Sequence, residues 1–108
     1  GSDLMGYDWS IFYGLHSAIT RQSTDSQPPG GWFPDEKLTA EETIRGYTVN
    51  PSYANFTENE TGMLKEGMWA DITVLDQDVF ATVAEDPARL LDGKVLMTIV
   101  GGDVVYRQ

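Results

Sequence analysis

The stretch 95-VLMTIVGGDVVYRQ-108 decides how the carboxy-terminal half of the chain folds. Two apolar runs rich in β-branched residues flank Gly101-Gly102, and a Gly-Gly pair supplies the positive φ angles that a tight hairpin turn requires. The stretch therefore predicts a β-hairpin over about 95–107. Working outward from it, 71-DITVL-75 predicts a short strand, and 77–94 is predicted to be irregular apart from one helical turn at its middle.

The first third of the chain carries a helical signal instead. From Trp9 to Gln22 the apolar residues recur at the spacing of one helix face, with polar residues between them. This pattern predicts an amphipathic helix over about 9–22. The following stretch, 23-STDSQPPGG-31, predicts a surface loop, because proline and glycine prevent the helix from continuing.

Two shorter helices are predicted before the strands begin. Thr39 and Glu42 have the spacing of a capping box, which predicts a helix over about 40–48. Asn50 followed by Pro51 predicts an N-cap and a first helical position, and hence a helix over about 51–56. Helices followed by strands, without βαβ alternation, make the isolated segment α+β.

Composition excludes several classes of function. The 108 residues include 17 Asp plus Glu against 7 Lys plus Arg, giving a net charge of −10, with one His and no Cys. The acidity argues against a nucleic-acid partner, because neutralising phosphates needs clustered basic residues. No apolar run is long enough to span a membrane, and no signal peptide is evident, so a cytoplasmic location is favoured. The lack of cysteine excludes a thiolate nucleophile and a Cys-ligated zinc.

The residue types that could act in catalysis do not form a complete site. The single histidine, His16, lies within the first predicted helix, where a packing role is favoured over a ligand or a general base. The eight carboxylates from Glu58 to Asp86 predict a solvated face, since they lack the spacing of a calcium loop. Trp32-Phe33-Pro34 is interpreted as a packed loop anchor, with an exposed aromatic lip over a ligand as the alternative.

Five stretches taken together resemble, in order, the carboxy-terminal end of metal-dependent amidohydrolases, specifically the YtcJ-like branch of that superfamily. The 62–76 stretch follows a pattern shared across the superfamily, and the resemblance extends over nearly the whole chain. The stretches are Gly1-Ser2-Asp3, 14-GLHSAITR-21, 38-LTAEETIRGYTVNPSYA-54, 62-GMLKEGMWADITVLD-76 and 98-TIVGGDVVY-106.

The resemblance implies a (β/α)8 barrel with a composite β-sandwich built from strands at both ends of a longer parent chain. Residues 1–56 would then hold the end of the last barrel strand and the last barrel helices. Residues 57–108 would be the carboxy-terminal portion of the sandwich, with strands in 62–76 and 95–107. The remainder of the barrel would be the first partner of this segment.

The resemblance also implies a chemistry, the hydrolysis of carbon–nitrogen bonds in small amide-like substrates. Asp3 would be the catalytic carboxylate at the end of the last barrel strand, and a possible metal ligand together with residues from elsewhere in the parent. The implied cofactor is a divalent metal, most often zinc. The family's His-x-His and later histidines are absent from these 108 residues, so we expect the segment alone to hold no metal and to be inactive.

A start at Gly1-Ser2-Asp3 without methionine leads us to expect a preceding segment, although Gly1-Ser2 also fits a tag scar. Two kinds of surface predict self-association of the segment or an exposed patch near the first helix. They are the apolar face left without the barrel, at Ile11, Leu15 and Ile19, and the strand edges at 71–75 and 95–100. The alternative to the amidohydrolase fragment is a standalone acidic α+β binding or interaction module without catalysis.

Overall fold

The computed structural model describes residues 10–108, and this part of the chain is α+β as predicted. No helix in the described part is long and apolar enough to cross a membrane. The elements in chain order are α1 (Ile11–Thr20), a first 3-10 helix (Pro34–Glu36), α2 (Ala40–Tyr47), α3 (Val49–Ala54), β1 (Ile72–Leu75), α4 (Val79–Glu85), a second 3-10 helix (Pro87–Asp92), β2 (Val95–Val100) and β3 (Asp103–Arg107).

The three strands form one antiparallel sheet in the order β1-β2-β3. The predicted hairpin is confirmed, with Gly101 at φ 58° and Gly102 at φ 90° in its turn. Ile72 lies opposite Ile99 between β1 and β2. The carboxylate of Asp71 accepts a hydrogen bond from the backbone N–H of Gly101 at 2.8 Å, which ties the hairpin turn to the start of β1.

The capping box at the start of α2 is also confirmed. Thr39 Oγ1 accepts from the backbone N–H of Glu42 at 3.2 Å, and the Glu42 carboxylate accepts from the backbone N–H of Thr39 at 2.9 Å. These reciprocal bonds satisfy two backbone donors that a helix start leaves without intrahelical partners. The Thr39 backbone N–H and the Thr39 hydroxyl both donate to the Glu42 carboxylate, and these two bonds lower the pKa of the Glu42 carboxyl because they favour its charged form.

The predicted N-cap at Asn50 is wrong, because Asn50 lies inside α3 as its second residue. Thr48 precedes the helix, and its hydroxyl donates to the carbonyl of Ile44 in α2 at 2.8 Å. The helices α2 and α3 therefore follow each other almost without a break. Pro51 is tolerated because the first backbone N–H groups of a helix have no intrahelical partner to lose.

The prediction of an irregular 77–94 is also wrong, because this region contains α4 and the second 3-10 helix. Asp78 caps α4 by accepting from the backbone N–H groups of Phe80 at 2.9 Å and Ala81 at 3.1 Å. Asp86, followed by Pro87, starts the second 3-10 helix and accepts from the backbone N–H of Ala88 at 3.1 Å. Two Asp caps thus convert the region into consecutive helical pieces.

The short strand predicted at 71–75 is confirmed as Ile72–Leu75, and it is the one strand within the 62–76 stretch. The residues before it form turns, with Gly62 at φ 92° and Gly67 at φ 87°. These left-handed conformations interrupt an extended backbone and favour glycine. The motif shared with the amidohydrolases is therefore a turn followed by a short strand.

The hydrophobic core joins the two halves of the sequence. Its buried members are Phe12, Leu15 and Ile19 of α1, Val79 of α4 and Leu90 of the second 3-10 helix. Leu15 is completely buried and Ile19 is 8% exposed, so the apolar face of α1 that was expected to be open is covered at these two residues. The second 3-10 helix and α2 cover α1 instead. The division of the chain at residue 56, into a barrel portion and a sandwich portion, stays a prediction.

The sheet, in contrast, is poorly covered. No residue of the three described strands is buried, and every residue of β3 is exposed. The strand at 95–100 was expected to have an unpaired edge, but this strand, β2, lies between β1 and β3 and is paired on both sides. Among the described residues the two outer strands are β1 and β3. Apolar residues of β2 and β3 therefore remain exposed, among them Val100, Val104 and Val105.

Candidate functional site

The predicted catalytic residue, Asp3, lies outside the described residues, which begin at residue 10. Its role as a catalytic carboxylate and possible metal ligand stays a prediction. The other candidates lie on the described elements and can be placed individually.

His16 lies on α1 and is completely buried, which confirms the predicted packing role. Neither ring nitrogen, Nδ1 or Nε2, has a hydrogen-bond partner within the described part of the chain. Burial penalises the charged imidazolium and lowers the pKa of His16 below its ordinary value. The ring is therefore neutral at pH 7.

The acidic residues from Glu58 to Asp86 are exposed, apart from the half-buried Glu58, so the predicted solvated face is confirmed for most of them. Four of these carboxylates also accept backbone hydrogen bonds. Besides Asp71, Asp78 and Asp86, the Asp76 carboxylate accepts from the backbone N–H of Lys94 at 2.8 Å. These aspartates stabilise turns and helix starts.

The aromatic pair Trp32-Phe33 is exposed, which corrects the interpretation as a packed anchor. Trp32 is 62% and Phe33 is 60% exposed, and their rings meet edge to face at 4.6 Å. Arg21 fixes Trp32 through reciprocal bonds at 2.8 Å, in which its Nε donates to the Trp32 carbonyl and its own carbonyl accepts from the Trp32 N–H. Its guanidinium also lies 5.4 Å from a ring centroid of Trp32.

A polar depression of about 230 Å³ lies between the start of α4 and the second 3-10 helix. Arg89, one of its lining residues, forms an ion pair at 2.7 Å with Glu85, which does not line the depression, and both side chains are more than half exposed. Exposed pairs of this kind contribute little to stability and bind no substrate by themselves. The residues lining the depression are Asp76, Gln77, Thr82, Arg89 and Asp92.

A hydroxyl cluster joins the end of α3 to the turns that follow, and no sequence pattern predicts it. Ser52 Oγ lies 3.0 Å from Thr61 Oγ1, which lies 3.2 Å from Thr57 Oγ1. No histidine belongs to this cluster, since the single histidine lies in α1. The cluster fastens the turn against α3 and offers no activated nucleophile.

The described residues alone do not provide a metal site. Residues 10–108 contain no group of three His, Cys, Asp or Glu side chains placed to hold an ion. His16 is the single histidine, and its ring is enclosed within the fold.

Comparison with known proteins identifies the family. A family model described as "Amidohydrolase family" matches residues 1–106, so the chain belongs to the amidohydrolase family. The expected resemblance to the YtcJ-like branch is confirmed. This family is generally metal-dependent. No solved structure matches the chain.

Three relatives show how much of a longer protein the chain represents. It is 34% identical to the protein YtcJ from Bacillus subtilis, over 88% of this chain and 17% of that protein. It is 36% identical to N-substituted formamide deformylase from Arthrobacter pascens, over 87% of this chain and 16% of that protein. It is 33% identical to a dihydroorotase from Clostridium acetobutylicum, over 86% of this chain and 23% of that protein. The chain thus spans less than a quarter of each.

Proposed function

We propose that this chain is the carboxy-terminal part of a metal-dependent hydrolase that acts on carbon–nitrogen bonds of small, non-peptide, amide-like substrates, and that it is inactive alone. The observation that carries the proposal is the family match over residues 1–106. Two of the relatives are named for reactions of this type, a formamide deformylase and a dihydroorotase. The absence of a metal-ligand group among residues 10–108 is compatible with a site completed elsewhere.

Asp3 is the residue we assign to the chemistry. In this proposal its carboxylate accepts a proton from the attacking water as the carbon–oxygen bond forms. It then donates that proton to the departing nitrogen as the carbon–nitrogen bond breaks. The products are a carboxylic acid and an amine, so one water is consumed per bond.

The cofactor we propose for the whole protein is a divalent cation, with zinc favoured. Such an ion polarises the carbonyl of the substrate and makes water a better nucleophile near neutral pH. Asp3 would contribute to its site only together with ligands from the rest of the parent chain. We expect residues 1–108 alone to bind no stoichiometric metal.

The parent architecture we propose is a (β/α)8 barrel with a composite β-sandwich. The half-exposed β1-β2-β3 sheet supports this proposal, because a sheet of apolar residues needs a second layer to bury its faces. The helices α1 and α2 would be the last helices around the barrel. The rest of the barrel would then be the main partner of this chain.

The test compares the isolated chain with a polypeptide extended upstream through the natural reading frame. Both are assayed for metal content, for release of amine from N-substituted formamides and for ring opening of cyclic amides. We expect metal and turnover in the extended polypeptide and neither in residues 1–108. Stoichiometric metal with turnover in the isolated chain would contradict the proposal. The upstream reading frame provides a second check, because a barrel plus its entry strands needs about 300 residues. If those residues contain no His-x-His, the noncatalytic binding module is favoured.

A further inference from the structure

The helices α1 and α2 pack against each other and run in opposite directions. At one end of the pair, the backbone N–H of Leu38, just before α2, donates to the carbonyl of Ala18 near the end of α1 at 3.0 Å. At the other end Tyr47, the last residue of α2, lies over Gly14 in the first half of α1. The carboxy-terminal end of α2 is therefore in contact with the amino-terminal half of α1.

Gly14 leaves the space that the ring of Tyr47 occupies. A methyl group at residue 14 would collide with the Tyr47 hydroxyl oxygen and would lie 3.1 Å from the ring carbon Cζ that carries it. Tyr47 is half-buried and packs against the hydrophobic core, so its ring cannot turn away without losing those contacts. The missing side chain at Gly14 thus lets Tyr47 contact the backbone of α1 directly.

This contact lies toward the end of α1 that is joined to Asp3. Gly14 is the fourth residue of α1, about 4.5 Å along the helix axis from the first. All strands of a (β/α)8 barrel are parallel, so each following helix must run antiparallel to them. In the proposed parent architecture the start of α1 and the strand end at Asp3 therefore share one face of the barrel, and the end of α1 points to the opposite face.

We propose that Tyr47 is a positioning residue for Asp3. Its contact with Gly14 fixes the start of α1, and α1 in turn fixes the segment before it, which carries the Asp3 carboxylate. This inference rests on the proposed function, because that function assigns the proton transfer to Asp3. A displacement of about 1 Å can lower a rate by about 10²-fold, so a small shift of α1 is enough to affect turnover.

The first experiment measures kcat, KM and metal content for Gly14→Ala in the upstream-extended polypeptide. Alanine favours a helix over glycine, so helix propensity cannot account for a loss. The collision with the Tyr47 hydroxyl should lower kcat by about 10–10²-fold, with KM and metal content unchanged. The double variant Gly14→Ala/Tyr47→Phe lacks the colliding oxygen and should recover most of the wild-type kcat.

Two other glycines provide matched controls in the same polypeptide. A methyl group at Gly46, the residue before Tyr47, meets nothing within 4 Å, so Gly46→Ala should leave kcat unchanged. At Gly31, which has φ 89°, a methyl group would collide with the carbonyl oxygen of Thr20 at the far end of α1. Gly31→Ala should therefore lower the melting temperature but leave the kcat of the folded protein unchanged.

Three results would overturn the positioning role. They are wild-type kcat in folded Gly14→Ala, no recovery in the double variant, and equal losses of kcat in Gly14→Ala and Gly31→Ala. Asp3→Asn separates this inference from the proposed function. If Asp3→Asn loses activity while Gly14→Ala does not, the positioning role alone is wrong. If Asp3→Asn keeps full activity, or the wild-type polypeptide has none, the proposed function fails and the positioning role fails with it.

The second experiment covers the case in which Gly14→Ala prevents folding. Tyr47→Leu keeps an apolar side chain against the core but is too short to reach Gly14, and it introduces no collision. We expect a lower kcat with KM unchanged, as for Gly14→Ala. The control is Tyr53→Leu in α3, where the side chain is 70% exposed, and it should keep the wild-type kcat. Equal kcat values for the two leucine variants would contradict the proposed role of Tyr47.

Discussion

His16 links the stability of the fold to pH. Burial lowers the pKa of this histidine, so below its ordinary value, about 6.5, the unfolded chain binds a proton more readily than the folded chain does. The free energy of unfolding should therefore fall as the pH decreases from 7.0 to 5.5. His16→Leu should remove this component, and urea titrations at several pH values measure it. Because no other histidine is present, an unchanged pH dependence in His16→Leu would contradict the account.

Gly93 permits close packing at the core. A methyl group at this position would collide with the ring of Phe12, which is almost completely buried. Gly93→Ala should therefore destabilise the fold by about 1–3 kcal/mol, as overpacking does in other cores. The control is Gly46→Ala in α2, where a methyl group meets nothing within 4 Å. This control should stabilise the helix by about 0.5–1 kcal/mol. Thermal unfolding distinguishes the two, and equal effects would contradict this packing.

At the scale of elements, the capping box offers a matched comparison between two helix starts. Thr39→Ala removes the hydroxyl that accepts from the Glu42 backbone, and should cost about 1 kcal/mol. Ser10 occupies the equivalent position before α1 but makes no side-chain capping bond. Ser10→Ala should therefore have a much smaller effect on chemical denaturation. A larger loss from Ser10→Ala than from Thr39→Ala would show that the capping assignment is wrong.

Elements with local chemical signals could be predicted from the sequence. The hairpin depends on Gly101-Gly102 and α2 depends on Thr39 with Glu42, and both signals lie within a few residues of the structure that they specify. The helix α4 escapes prediction because it is short and is stabilised partly by burial of Val79 in the core and by contacts with the distant helix α2. Asp78 and Asp86 were available as cap signals, but single aspartates are too common to decide without that tertiary contact.

At the scale of the whole molecule, covered and uncovered surfaces could not be assigned from the sequence. The apolar face of α1 was expected to be open, but α2 and the second 3-10 helix cover it. The exposed aromatic pair Trp32-Phe33 was expected to be packed. Periodicity shows which face of an element is apolar, but contacts between residues far apart in sequence decide what covers that face.

The candidate site was predictable only as a family relationship. Residues 1–106 match the amidohydrolase family, whereas the described residues hold no metal-ligand group. A (β/α)8 barrel collects its catalytic residues from the ends of several strands. Under the proposed function, a chain that spans 16–23% of these relatives would contribute only part of such a site. The central claim is therefore that this part includes one catalytic carboxylate, Asp3.

The most direct test is the kcat of Asp3→Asn in the upstream-extended polypeptide, with Asp35→Asn, exposed on the first 3-10 helix, as the matched control. Loss of a general acid–base group predicts a fall in kcat of about 10²–10⁴-fold for Asp3→Asn. Asp35→Asn should retain wild-type activity. If Asp3→Asn, folded and with unchanged metal content, keeps the kcat of the control, then Asp3 is not the catalytic carboxylate and the central claim is wrong.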